Sequence, residues 1–117
     1  MNERTTHRST FLVLDLAIQA IEVLRPIVTR IRHHDRELGE QLRDALTSIA
    51  LNIAEGNQSQ GGHRVTRFST AADSNGEARA ALRVAVAWGY VAKADTAAGE
   101  DMLDRVAAML HRLGARR

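Results

Sequence analysis

Apolar residues recur at alternating steps of three and four along successive segments of the chain, and this spacing constrains the fold more than any other feature. Such steps return to one face of an α-helix, whereas a half-buried β-strand alternates at every second residue. The series are Leu42, Ala45, Ile49 and Asn52 in the second segment, Phe68, Ala71, Asn75, Ala78, Leu82 and Ala85 in the third, and Leu103, Val106, Leu110 and Leu113 in the fourth. Short connections favour antiparallel neighbours. The sequence therefore predicts an all-α, antiparallel up-and-down four-helix bundle.

Turn and cap residues divide the chain, whose 117 residues are enough for one domain. We predict a flexible N-terminal arm over residues 1–9 and a single bundle domain over residues 10–117. Asp35 is expected to be the N-cap of the second helix, Gly56 the left-handed residue that ends it, and Pro26 the site of a kink or break in the first. The helices are predicted at about residues 10–32, 35–55, 63–88 and 95–113, the third stopped by Gly89 and the last capped by Asp95 or Thr96.

The predicted helices carry more apolar surface than one bundle core can cover. Of the 14 residues from 11 to 24, 11 are apolar, and the second and third helices have apolar runs that extend beyond one face. A helix that is apolar nearly all round must be buried nearly all round. We therefore expect a homo-oligomer, with Leu51, Ala81 and Trp88 in the interface between copies. Scattered apolar surface on a monomer is the alternative.

Several classes of chemistry lack their residues in this chain. There is no cysteine, which removes disulfides, thiolate nucleophiles and cysteine zinc sites and fits a cytoplasmic location. No glutamate is followed by histidine three residues later, as a di-metal site in a four-helix bundle requires, and the common phosphate-loop and hydrolase motifs are absent. No run of 18 uncharged apolar residues predicts a membrane span. We expect no catalytic residue, no metal, no cofactor and no enzymatic activity.

Charge is unevenly distributed although the net charge is only +2. In an up-and-down bundle the N-terminus, the connection between the second and third helices and the C-terminus share one end. The cationic residues at that end, which we call the basic end, are Arg4, Arg8, His63, Arg64, Arg67, Arg112, Arg116 and Arg117. Arginine makes forked contacts with phosphate, so the basic end is a candidate site for RNA or DNA. A solvated surface with cations near the negative end of the fourth helix is the alternative. Base stacking is not expected, because only 3% of the residues are aromatic.

The most distinctive part of the chain is residues 48–56, which read SIALNIAEG. This stretch resembles the S-I-x-x-N-I-A-E-G signature of the four-helix-bundle family named for proteins encoded in intervening sequences of 23S ribosomal RNA genes. Phe68, the Ser74-x-x-Glu77 pair and residues 88–91 resemble further positions of the family. The resemblance covers roughly residues 10–113, and Pro26 departs from the pattern.

The resemblance implies an antiparallel four-helix bundle that is often a pentamer, and it implies no particular activity. Similar bundles serve as accessory proteins of diversity-generating retroelements, where they are taken to bind a reverse transcriptase and nucleic acid. The partners implied are further copies of the chain, RNA or DNA, and a reverse transcriptase. Two classes of function remain open: a nucleic-acid-binding accessory protein, and a protein-interaction scaffold without nucleic-acid binding.

The residues that match the family pattern also have structural interpretations. They are Ser48, Asn52, Glu55, Gly56, Ser74 and Glu77. The asparagine lies in a predicted helix seam, where a polar residue usually fixes the register of packing. The first glutamate is expected to form an ion pair with Arg64 or Arg67 across the helical hairpin, and the second with Arg43.

Overall fold

The structure, a computed structural model, describes residues 3–116 and the side chains of residues 11–116. Four α-helices account for nearly all of this part of the chain, and no strand occurs within it. The helices are α1 (Glu3–His34), α2 (Arg36–Gln58), α3 (Gly61–Ala87) and α4 (Lys93–Arg112). The all-α prediction is confirmed.

Each helix packs against two others, so the four surround one core. α1 contacts α2 and α4, and α3 contacts the same two helices. Arg30 near the end of α1 pairs with Asp95 in the first turn of α4 at 2.9 Å. Beyond the end of α4, the backbone N–H of Arg116 donates to the hydroxyl of Ser69 in the first third of α3 at 2.8 Å. Because these contacts join the late part of one helix to the early part of another, neighbouring helices are antiparallel, as predicted.

α1 is longer than predicted at both ends. It begins at Glu3, so the helix includes residues 3–9, which were predicted to precede it. No glycine or proline precedes Pro26, and a helix extends at little cost once it is nucleated. The helix also continues through Pro26 without a break. Pro26 and Glu22, whose carbonyl loses its helical donor at the proline, are both exposed, so water is able to bond this carbonyl.

The connection between α1 and α2 consists of Asp35 alone. Its N–H donates to the carbonyl of Ile31 at 2.7 Å, which closes the last turn of α1. Its carboxylate accepts the N–H of Leu38 at 3.0 Å, which caps α2. The predicted N-cap is therefore confirmed, and one residue both ends the first helix and begins the second.

Gly56 does not end α2, contrary to the prediction. It lies inside the helix, which continues to Gln58, and its φ is not positive. A Cβ atom at this position would lie 2.5 Å from Cε1 of the fully buried Phe68 on α3. Glycine is therefore required here for the close approach of an aromatic ring to the backbone of α2, and not for a left-handed turn.

The start of α4 differs from the prediction in one detail. Ala92 occupies the N-cap position, and the helix begins at Lys93. Asp95 instead stabilises this end from the third helical position, where its carboxylate accepts the N–H of Ala92 at 3.2 Å. Thr96 is fully buried and donates its hydroxyl to the carbonyl of Lys93. The predicted end of α3 at Gly89 is confirmed, because this glycine has the left-handed φ of 79°.

The predicted seams form the core. The buried seam residues are Leu42, Ala45 and Ile49 of α2, Phe68, Ala71, Asn75, Ala78, Leu82 and Ala85 of α3, and Leu103, Val106 and Leu110 of α4. The other two predicted seam residues, Asn52 and Leu113, are partly buried. The amide of Asn75, which is 1% exposed, donates to the carbonyl of Leu103 at 2.9 Å. This hydrogen bond offsets part of the cost of burying a polar side chain.

Candidate functional site

Three residues of the signature form a hydrogen-bonded network between α2 and α3. The hydroxyl oxygens of Ser48 and Ser74 are 2.8 Å apart. The amide of Asn52 donates to the carbonyl of Ser48 at 2.9 Å and to its hydroxyl at 3.1 Å. Because the network joins the two helices at one level, its geometry fits a role in fixing their register.

Of the two ion pairs predicted between α2 and α3, one is present. Arg67 pairs with Glu55 at 3.1 Å, which confirms one of the two predicted partners. Arg43 pairs with Glu40 at 3.7 Å and not with Glu77, so that prediction is wrong. Glu40 precedes Arg43 by one turn on the same helix, and side chains three residues apart are neighbours on a helix surface.

A groove of about 750 Å³ runs along the outside of the α2–α3 contact. Its lining residues are Leu38, Gln41, Asp44, Ala45, Ser48, Ser74, Glu77, Ala80, Ala81 and Val84. Neither Asp44 nor Glu77 forms an ion pair with any residue whose side chain the structure describes. Ala81 is only 8% exposed, so it is buried within the chain rather than on an outer face. The groove is therefore lined mainly by small and apolar residues with two unpaired carboxylates beside them.

Large apolar side chains remain exposed on α1, α2 and α3 and at the residue that directly follows α3. They are Phe11, Leu12, Ile18, Val23, Leu51, Val84 and Trp88. Leu51 is 57% exposed and Trp88 is 69% exposed, so most of each side chain is accessible to the interface contacts predicted for it. On α1 the polar residues Asp15, Gln19 and Glu22 are also exposed, and they form a narrow polar stripe among these apolar residues.

The structure brings the described members of the basic end together. The hydrogen bond from Arg116 to Ser69 ties the C-terminal segment to α3 near its beginning. His63, Arg112 and Arg116 are exposed and form no ion pair with a described side chain. Arg67 is exposed but paired with Glu55. The predicted contributions of Arg4, Arg8 and Arg117 lie outside the described side chains.

Arg64 differs from the other arginines of the basic end because it turns inward. Its guanidinium carbon lies 5.2 Å from the centroid of the Phe68 ring, within the range of a cation–π contact. One of its nitrogens, Nη2, is buried without a hydrogen-bond partner among the described atoms. Arg64 is therefore less available to an external ligand than the sequence predicted.

Sequence reasoning missed a set of stacked rings at the end opposite the basic end. The rings of His34 and Tyr90 have centroids 5.2 Å apart and planes 7° from parallel. The rings of Trp88 and Tyr90 are 6.4 Å apart and 17° from parallel. The low aromatic content gave no reason to expect these contacts. The topology could have indicated them, because α1 and α3 of an up-and-down bundle end on the same side and so bring His34 near Trp88 and Tyr90.

A family model described as 23S rRNA-intervening sequence protein matches residues 13–112. The chain belongs to the 23S rRNA-intervening sequence protein family. This match confirms the resemblance and spans the bundle from early α1 to the last residue of α4. No curated protein and no solved structure matches the chain.

For this member of the 23S rRNA-intervening sequence protein family, two further observations concern the described residues. Among them, no three histidine, aspartate or glutamate side chains are grouped as a metal ion would require. None of the four helices, over the same part of the chain, has the combined length and apolar character that a membrane crossing demands. The signature residues lie along the α2–α3 contact, while the described cationic residues of the basic end lie at one end of the bundle.

Proposed function

We propose that the chain is a non-enzymatic, self-associating helical bundle of the cytoplasm that binds nucleic acid through phosphate contacts at its basic end. The observation that carries this proposal is the hydrogen bond between Arg116 and Ser69. It holds Arg116 beside the part of α3 that carries Arg67 and Ser69. Phosphate contacts of this kind supply most of the affinity for nucleic acid of any sequence.

The distribution of ion pairs favours the basic end over the opposite end as the site that binds nucleic acid. Arg112 and Arg116 are exposed and have no described carboxylate partner. At the opposite end, Arg30 pairs with Asp95 at 2.9 Å and Arg32 with Glu40 at 3.0 Å. Because these pairs reduce the positive charge of the opposite end, the field of the molecule favours approach of a duplex to the basic end.

Self-association is proposed from the exposed apolar residues, with Leu51 and Val84 in the contact between copies and Trp88 at its margin. A bundle with large exposed side chains on three helices gains stability when a second copy covers them. A ring of copies, with the pentamer taken from the family resemblance, would repeat the basic end several times. Repeated weak sites on one particle bind a long polyanion far more tightly than a single site does.

The test is the affinity for duplex DNA at low salt, measured by fluorescence anisotropy. The double variant Arg112→Glu/Arg116→Glu is expected to bind at least about tenfold more weakly, because each copy loses two phosphate contacts and gains two repelling charges. Arg25→Glu/Arg83→Glu is the matched control, since both arginines are exposed, have no described ion-pair partner and lie away from the basic end. Absence of binding by the unaltered chain, or an equal loss in the control, would contradict the proposal.

The α2–α3 groove supports a second candidate function, that of a protein-interaction scaffold. Its apolar lining and the two unpaired carboxylates, Asp44 and Glu77, suit an amphipathic helix that carries arginine or lysine. A reverse transcriptase is the partner that the family resemblance implies. Co-purification of a protein that is lost in the Glu77→Arg variant, together with no DNA binding, would favour this function over the first.

A further inference from the structure

The ring stack at the end opposite the basic end is built from two parts of the chain that are distant in sequence. His34 is the last residue of α1, whereas Trp88 and Tyr90 follow one another closely after α3. Tyr90 belongs to both ring pairs, and its plane is 7° from that of His34 and 17° from that of Trp88. A contact between rings in this offset, nearly parallel arrangement is favourable beyond the area that it buries.

Packing explains the inner part of this stack but not its outer ring. Tyr90 is partly buried and packs against the core, so its contact with His34 closes the end of the bundle. Trp88 is 69% exposed and covers little apolar surface within the chain. It therefore presents a large ring to solvent, already held nearly parallel to a second ring. A further flat ring added to such a stack does not have to order the rings beneath it.

Cationic side chains line a cleft at the same end. This cleft has a volume of about 340 Å³ and is lined by Thr29, Arg32, His33 and Arg36. His33 directly precedes the stacked His34 in the chain. Arg36 has no described ion-pair partner, and Arg32 pairs with Glu40 at 3.0 Å. The cleft therefore offers hydrogen-bond donors and modest positive charge at the end of the bundle that carries the rings.

We propose that the exposed face of Trp88 is a stacking site for an unpaired nucleobase of a single-stranded nucleic acid, with a nearby phosphate held in the cleft of Arg32, His33 and Arg36. Stacked aromatic side chains beside cationic groups are the combination that binds single strands without sequence preference. A duplex hides its base faces within its own stack and cannot use this site. The site is separate from the basic end, so binding at one of the two sites does not require binding at the other.

The chain contains a single tryptophan, so its intrinsic fluorescence reports on this site alone. A short oligodeoxyadenylate is expected to quench Trp88 emission, and the matching oligoriboadenylate is expected to do the same, because both present the same base face. An abasic strand with the same number of phosphates, and a duplex of equal length, are expected to leave the emission unchanged. Added salt is expected to weaken this quenching, because the phosphate held in the cleft releases counterions when it binds.

Two variants extend the test with a labelled oligodeoxyadenylate and anisotropy. Trp88→Ala is expected to weaken binding about tenfold, whereas Trp88→Phe, which keeps a ring, is expected to recover most of the affinity. Thr70→Ala, at an exposed position on α3 outside the ring stack, the groove and the apolar contact between copies, is the matched control and is expected to have no effect. Helicity is measured on all three variants to check that they fold. If Trp88→Ala does not fold, the quenching experiment on the unaltered chain decides whether a base stacks on Trp88.

Two results would overturn the proposal. Equal quenching by the abasic strand would show that phosphates alone bind at this end. Trp88 emission that is typical of a buried indole before any nucleic acid is added, and that shifts on dilution of the protein, would show that another copy of the chain covers the ring. Loss of duplex binding in the Arg112→Glu/Arg116→Glu variant bears only on the basic end and leaves this result unaffected.

Discussion

The contact between Gly56 and Phe68 makes Gly56→Ala a sharp test of how α2 and α3 pack. The added Cβ would lie 2.5 Å from Cε1 and 2.7 Å from Cδ1 of the ring. Phe68 is fully buried, so the ring has no free space and the two helices must separate. Overpacking of this kind costs roughly 1–3 kcal/mol, whereas alanine in place of glycine inside a helix gains about 1 kcal/mol. Because the clash is severe, we expect the free energy of unfolding to fall by about 1–2 kcal/mol.

Gly62→Ala is the matched control for this substitution. Gly62 also lies in a helix, its φ is not positive, and no atom lies within 4 Å of an added Cβ. The same change is therefore expected to raise the free energy of unfolding by up to about 1 kcal/mol. Urea titrations followed by helical circular dichroism measure both variants at one protein concentration, because self-association alters apparent stability. A Gly56→Ala variant as stable as the unaltered chain would refute the packing argument.

Three further substitutions follow from the contacts of individual residues. Arg64→Met removes a buried nitrogen without a described partner and keeps an apolar side chain in contact with Phe68. An unpaired buried donor costs roughly 1–3 kcal/mol, which exceeds the roughly 0.5–1 kcal/mol that a cation–π contact contributes, so urea titration should show equal or higher stability. A loss of stability above about 1 kcal/mol would contradict the account. Asp35→Ala removes the carboxylate that caps α2 and should lower the free energy of unfolding by about 1 kcal/mol; an unchanged midpoint would mean that the cap contributes nothing. Leu51→Glu introduces a charge at a position that is 57% exposed in the single chain, and light scattering should show that the assembly dissociates at unchanged helicity. Ala94→Glu on α4 is the control and should leave the assembly intact. Light scattering that finds the unaltered chain to be a monomer would contradict the self-association proposal.

The sequence contained most of what was needed to predict the helix faces. Asn75 and Leu82 are both 1% exposed or less, as their places in the three-and-four series require. The period of a helix is a local property, so a pattern within one segment is enough to identify its buried face. The cap at Asp35 was likewise predictable, because its hydrogen bond reaches only three residues along the chain.

Features that depend on a neighbouring helix could not be predicted in the same way. Gly56 has the residue type of a helix end, and only the position of the Phe68 ring on α3 shows that it serves close packing instead. Arg43 pairs with Glu40 on its own helix, and only the placement of α3 shows that Glu77 is not its partner. The stack of Trp88 on Tyr90 depends on how the chain turns after α3. Composition alone gave no reason to expect it.

The central claim is that cations of the basic end bind the phosphate backbone, and the salt dependence of duplex binding tests it most directly. The logarithm of the binding constant should fall linearly with the logarithm of salt concentration, with a slope set by the number of phosphates that are neutralised. In the Arg112→Glu/Arg116→Glu variant the slope should be shallower by about one unit for each arginine that contacts DNA. A slope that is the same in the variant and in the unaltered chain, or a binding constant that does not respond to salt, would contradict the account.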